Sequence, residues 1–255
     1  MEEAYSSFAQ VYDLFMDNVP YEEWCTYIVG LLKEYGIEDG VVLDLGCGTG
    51  KLTRLLKTSG YDMIGVDYSE EMLEIAREAE MEQEEPIFYL HQDMRELELF
   101  GSVGAVVSIC DSMNYILQEK ELLQVFRRVN EYLNPGGIFL FDLNTLYKYR
   151  ELLGENTISE VREESSFIWD NYFDEETGIN EYDLTLFIRE QDDLYRRYEE
   201  THYQRAYEVE MVVKLVKEAG MELLACYDAF TREPVKEDSE RIYIIARRKM
   251  EENNE

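Results

Sequence analysis

Apolar positions along the chain change period several times, and each change marks an element. Residues 4–17 place Tyr5, Phe8, Val11, Tyr12 and Phe15 at helical spacing until Pro20 breaks the run. A second helix carries Trp24, Tyr27, Ile28, Leu31, Leu32 and Tyr35 on one face and closes at Gly36. Residues 41–45, VVLDL, form an apolar, β-branched run without helical period, the mark of a strand buried on both faces. Gly46, Gly48 and Gly50 alternate next, and KLTRLLKTSG reads as a short helix with Leu52, Leu55 and Leu56 apolar. Strand and helix keep alternating: a strand over 63–66, a helix capped by Ser69 with Met72, Leu73, Ala76 and Ala79 on one side, and strands over 87–90 and 105–109. A helix with Leu122, Val125, Phe126, Val129 and Leu133 buried follows, ended by the NPGG turn at 134–137 before a fifth strand, IFLFDLN. Such alternation predicts an α/β fold around a parallel sheet.

From about residue 156 to residue 205 the period drops to two. The runs SSFIWDNYFD, INEYDLTLFIRE and QDDLYRRYEETHYQR predict three antiparallel strands in a meander. Helical period returns at Val209, Val212, Val213 and Val216, stops at Gly220, and two strands, MELLACYDAF and RIYIIARRK, end the fold before a frayed tail. The expected organisation is a core over 1–153 and 206–249 interrupted by an antiparallel sub-domain over 154–205. That insertion reads as a substrate lid, as a dimerisation sheet, or as an ornament that stabilises the core, with its tyrosines favouring the lid.

Composition narrows the function classes. With 255 residues, 45% hydrophobic and 13% aromatic, the chain can bury a substantial core. No signal-peptide pattern opens it and no apolar run approaches membrane-spanning length, so a soluble, cytoplasmic protein is expected. Four cysteines (Cys25, Cys47, Cys110 and Cys226) are scattered without a C-x-x-C pair, and only His91 and His202 accompany them, which disfavours a metal site. The net charge of −32 would repel nucleic-acid phosphates and anionic lipid, leaving a solvated acidic surface, a basic partner or a cationic small molecule.

A strand, a glycine turn and a helix start make a nucleotide site, because amide N–H groups converge where no Cβ blocks approach. The phosphate loop would need four residues between Gly46 and Gly50 and a hydroxyl residue at Leu52; the dinucleotide fingerprint would need glycine at Lys51. What stands is D-x-G-x-G-x-G from Asp44 to Gly50. Asp67 lies 21 residues beyond Gly46, at the end of the second strand, where a carboxylate can accept from both ribose hydroxyls.

This pattern resembles motif I of the class I S-adenosylmethionine-dependent methyltransferases, and the NPGG turn is similar to theirs. The resemblance covers residues 5–144 and resumes at 207–248, and the insertion looks like that of small bacterial-type members with an added antiparallel sheet. It implies a Rossmann-like seven-stranded sheet in the order 3-2-1-4-5-7-6, with the last strand antiparallel, and S-adenosyl-L-methionine as cofactor. YSSFAQVYDLFM resembles a lid segment, which would bring Tyr12 over the cofactor. Asp44, Gly46, Cys47, Gly48 and Gly50 would hold it in the loop, with Asp67, Tyr68 and Met72 beyond. Asp93 would accept from the adenine amino group, with Met94 on the ring, and Cys110 would close the site.

The implied reaction is an in-line displacement at the sulfonium methyl by nitrogen or oxygen of a small-molecule acceptor, cationic or amine-bearing in view of the charge. Asp111, Asn114 and Arg205 are the substrate-binding candidates; Asp111 and His202 are candidates for a general base. No N-P-P-Y-type motif follows the fourth strand, against adenine or glutamine methylation. A monomer, or a homodimer through the inserted sheet, is expected. The alternatives are a non-catalytic cofactor-binding module for a basic partner and an NAD-type oxidoreductase, the second disfavoured by Lys51.

Overall fold

A computed structural model describes residues 9–17 and 19–250. The helices are α1 (Ala9–Phe15), α2 (Tyr21–Glu34), α3 (Lys51–Thr58), α4 (Glu70–Glu78), α5 (Glu119–Tyr132) and α6 (Val209–Glu218). The central strands are β1 (Val41–Leu45), β2 (Asp62–Asp67), β3 (Phe88–His91), β4 (Val103–Ser108), β5 (Leu133–Asn144), β10 (Met221–Asp228) and β11 (Arg241–Arg248). Between β5 and α6 lie a π-helical segment, Lys148–Leu153, and the strands β6 (Thr157–Val161), β7 (Ser165–Asp174), β8 (Ile179–Gln191) and β9 (Leu194–Arg205).

The large sheet runs β10-β11-β5-β4-β1-β2-β3. β1 pairs in parallel with β2 and β4, whereas β11 is antiparallel to both β5 and β10. This is the seven-stranded Rossmann-like order expected, and it puts a topological switch at β1, with a crevice at the carboxyl ends of β1 and β4. Apolar runs in β1, β4 and β5 are buried because both faces are covered. Leu122, Val125 and Phe126 of α5 and Val212 and Val216 of α6 pack with Phe139 and Phe141 on one side. Trp24 and Ile28 of α2, Leu56 of α3 and Leu73 of α4 pack with Val42 and Val107 on the other.

Two expectations are revised. The insertion holds four strands, in the order β6-β7-β8-β9, because β6 pairs along β7 from Thr157↔Asp170 to Val161↔Ser166. The NPGG residues belong to β5, which starts at Leu133 directly after α5. Gly137 permits that passage, since a Cβ there would stand 2.8 Å from the Asn134 oxygen and 2.9 Å from that of Gly104. The first helix is described only from Ala9; Tyr5, Phe8, the side chain of Val11 and residues 251–255 lie outside the described residues.

Candidate active site

The glycine loop leaves β1 and enters α3 through three left-handed glycines, Gly46 (φ 82°), Gly48 (φ 54°) and Gly50 (φ 73°). The amides of Gly46 and Cys47 donate to the Val66 carbonyl at 2.7 and 3.0 Å, fastening the loop to β2. A Cβ on Gly46 would meet Ser112 Oγ at 2.5 Å, and one on Gly50 would strike the Tyr89 hydroxyl. Gly48 differs: no atom lies within 4 Å of where its Cβ would be, so its backbone faces open space.

That space is a cavity of about 190 Å³ at the carboxyl ends of β1, β2 and β4. Asp67 sits on its wall, accepting from the Gly48 N–H at 2.7 Å and the Ser69 N–H at 2.9 Å. Burial pushes its carboxyl up, against the lowering effect of these amides. The Tyr68 N–H is a third backbone donor to it. Asp44, 2% exposed, accepts from Thr53 Oγ1 at 2.6 Å, and burial, helped by the nearby Asp67, pushes it up to about 7 despite that bond. Asp93 is gripped by Arg95, whose Nε donates to both carboxylate oxygens at 2.9 Å; burial raises Asp93, but the Arg95 bonds prevail and hold it below the usual range. Tyr12, Cys47, Tyr68, Met72, Met94 and Cys110 line the same cavity. The cavity therefore brings together the residues expected to face the cofactor except Gly50, which does not line it.

A methyltransferase-domain family model matches residues 42–137. The chain is 38% identical over 245 residues to a protein of Geobacillus sp. (strain WCH70) with a provisional methyltransferase name, across 96% of this chain and 99% of that one. It is 30% identical to the crystal structure of an S-adenosylmethionine-dependent methyltransferase from Clostridium acetobutylicum, with a TM-score of 0.86 over 97% of this chain and 100% of that one. It is also 35% identical over 138 residues to dTDP-3-amino-3,4,6-trideoxy-alpha-D-glucopyranose N,N-dimethyltransferase of Streptomyces venezuelae, across 52% of this chain and 56% of that one. The chain belongs to the class I S-adenosylmethionine-dependent methyltransferases.

The residues present fit that cofactor. Gly48 leaves a backbone cradle that a Cβ would fill, and among the described residues the buried Asp44 has Thr53 and Asp67 as its electrostatic neighbours and no cation, which a positively charged ligand would provide. Sequence reading missed Tyr21, Lys51 and Tyr115 on the methyltransferase cavity wall. Tyr12 donates to the Tyr21 hydroxyl, and the Lys51 ammonium lies 4.7 Å over the Tyr21 ring. Lys51 had served only to exclude other nucleotide motifs, and the aromatic period of α2 alone gives no reason to single out Tyr21.

Beyond Cys110 the backbone is strained. Cys110 (φ 63°) and Asp111 (φ 54°) are consecutive non-glycine residues in the left-handed region, each at a cost of about 1–3 kcal/mol. Asp142 accepts from both of their amides, at 3.2 and 2.8 Å. Arg241 donates to Asp111 at 2.6 Å and also to Asp142. Burial alone would raise the Asp111 carboxyl, but Arg241 and Lys148 together hold it below the usual range.

The acceptor candidates are placed differently from expectation. Asp111 adjoins the cavity wall but not its lining, its carboxylate held by Arg241 and Gln204. Asn114 is fully buried and committed: Nδ2 donates to the carbonyls of Asn144 (3.2 Å) and Arg205 (2.8 Å), and Oδ1 accepts from the Asn144 amide (3.0 Å). Arg205 turns to the Leu117 carbonyl at 2.9 Å and to Glu119 at 3.3 Å. Both residues join β9 to the core and neither reaches the cavity. His202 is buried behind Tyr115, ring centroids 6.2 Å apart, with Nε2 3.2 Å from Glu200 Oε2. It does not line the cavity.

Proposed function

We propose that the protein transfers a methyl group from S-adenosylmethionine to a nitrogen or oxygen nucleophile of a small-molecule acceptor. The observation that carries this reading is the coincidence of the open Gly48 backbone with Asp67 and Asp44 on one cavity. Asp67 accepts the ribose hydroxyls, Asp93 and Met94 take the adenine, and Asp44 balances the positive end of the ligand. When bound, the cofactor supplies an electrophilic methyl group, and the chain supplies position and electrostatics. Tyr12 and Tyr21 cover the cavity and exclude water. Orienting the two reactants alone can lower a barrier by about 7–11 kcal/mol.

An amine acceptor is the favoured case. The Streptomyces relative is named for an N,N-dimethyl transfer. Neither base candidate, His202 nor Asp111, lines the cavity, so the amine would enter its reactive form by losing its proton to solvent. The test is methyl transfer from labelled S-adenosylmethionine across a panel of amino sugars, other primary and secondary amines, alcohols and phenols. Label appearing in amines, with a rate that climbs with pH towards the acceptor's own pKa, is the expected result. Label in none of these classes, with S-adenosylmethionine bound, would contradict the proposal in favour of a regulatory module.

A further inference from the structure

The inserted sheet approaches the cavity wall where His202 packs behind Tyr115 and where Gln204 meets the strained turn. Gln204 of β9 is 1% exposed and donates from Nε2 to Asp111 Oδ2 at 2.7 Å. Its Oε1 accepts from the Tyr149 hydroxyl at 2.7 Å and from the Tyr182 hydroxyl, which fixes the orientation of the amide. From the opposite side Arg241 of β11 bridges Asp111 and Asp142, and the Trp24 ring covers its guanidinium, 5.6 Å from Cζ to centroid. Asp142 of β5, 0% exposed, accepts the two amides that the left-handed turn points at it. Three elements distant in sequence converge on two residues whose backbone is unfavourable for any side chain but glycine.

We propose that Asp142, Arg241 and Gln204 are positioning residues that hold Cys110 and Asp111 in the left-handed conformation, and that the inserted sheet thereby sets the shape of the acceptor side of the cavity. The arrangement explains why charged groups are buried here. Two carboxylates and a guanidinium are a poor way to stabilise a fold, but a strong way to specify one geometry. Relaxation of the turn would swing the Cys110 side chain, which lines the cavity, and would release Ser112, whose hydroxyl donates to the Ile109 carbonyl at 3.0 Å across the same turn. The proposal rests on the cleft's reading as an S-adenosylmethionine site only for its binding readout.

Arg241→Lys keeps the charge but removes the rigid planar fork that presents one nitrogen to each carboxylate. Its crystal structure is expected to show Cys110 and Asp111 leaving positive φ, and its Kd for S-adenosylhomocysteine should rise about tenfold. Glycine accepts the left-handed conformation freely, so Cys110→Gly added to Arg241→Lys should bring the Kd back to within about twofold of Cys110→Gly alone. Should Arg241→Lys fail to fold, Gln204→Leu, which leaves every charge in place, takes its role, with an expected rise of about threefold and the same glycine rescue. Retention of φ near 63° and 54° in the variant, or effects that simply add, would overturn the proposal. Absence of S-adenosylhomocysteine binding by the unaltered protein would count against the cleft's reading instead, and the crystallographic φ values would then decide the turn by themselves.

Discussion

At the residue scale, a carboxyl inside an apolar strand is the most informative signal in this chain. Asp44 interrupts VVLDL, and burial shifts it to about 7. Because the folded value lies above the ordinary one, the folded protein holds a proton between about pH 4 and 7 that the unfolded chain has lost. Ligand-free stability should therefore fall as pH rises through that window, by about 4 kcal/mol at most, and stay level above it. Asp44→Asn removes this dependence: its melting temperature should exceed that of the unaltered protein at pH 8 and lose the advantage near pH 4. The same variant should bind S-adenosylhomocysteine with an affinity that no longer strengthens between pH 6 and 8. Melting curves and titrations at three pH values check both, and identical pH profiles for the two proteins would refute the role given to Asp44. Asp142 interrupts FLFDLN in the same way, and the signal could have been read there too. Its partner Arg241 was not legible, because an arginine starting a strand is ordinary and only the folded β5–β11 pair shows what it bridges.

At the element scale, α1 joins the inserted sheet to the glycine loop. Asp13 accepts from Thr49 Oγ1 at 2.9 Å, tying the helix to the loop. At its far end Phe15 meets Phe167 edge-on with centroids 4.8 Å apart, and Arg162 donates to both oxygens of Asp17 at 2.7 and 2.9 Å. Exposed ion pairs contribute little to stability singly, so Arg162→Ala should leave global melting almost unchanged. It should instead loosen α1, raising the off-rate of S-adenosylhomocysteine about two- to fivefold and speeding proteolysis between residues 9 and 20. An off-rate equal to that of the unaltered protein would show that the sheet does not steady this helix. Periodicity exposed α1 as a helix with Tyr12 and Phe15 inward, but contact between those turns and a sheet 150 residues away carries no local signature.

At the scale of the whole molecule, strands, helices and their order were legible because each layer keeps one period. Apolar runs mark doubly covered strands, and the 3.6-residue stripes mark the helices over them. The period-two runs mark the sheet that buries one face against α1 and the π-helical segment. β6 escaped because TISEV lies almost wholly in the open, so nothing forces its side chains to alternate. The acceptor residues were the least legible part. Asn114 and Arg205 have the chemistry of ligand-binding side chains, yet the fold spends both on joining β9 to the core, a long-range pairing that spacing does not encode. Among the described residues no helix is long and apolar enough to cross a membrane. Within the −32 chain, the cavity wall carries Asp44, Asp67 and Asp93 together with Lys51 and Arg95.

In the function proposed above, Asp67 holds the cofactor in the cavity beside the glycine loop. Calorimetric titration of S-adenosylhomocysteine into the unaltered protein and into Asp67→Ala tests it most directly. Loss of charge-assisted hydrogen bonds to the two ribose hydroxyls, worth about 1.5–3 kcal/mol each, should weaken binding by about a hundredfold or more. Equal affinity for the two proteins, both folded, would contradict the account and move the cofactor elsewhere.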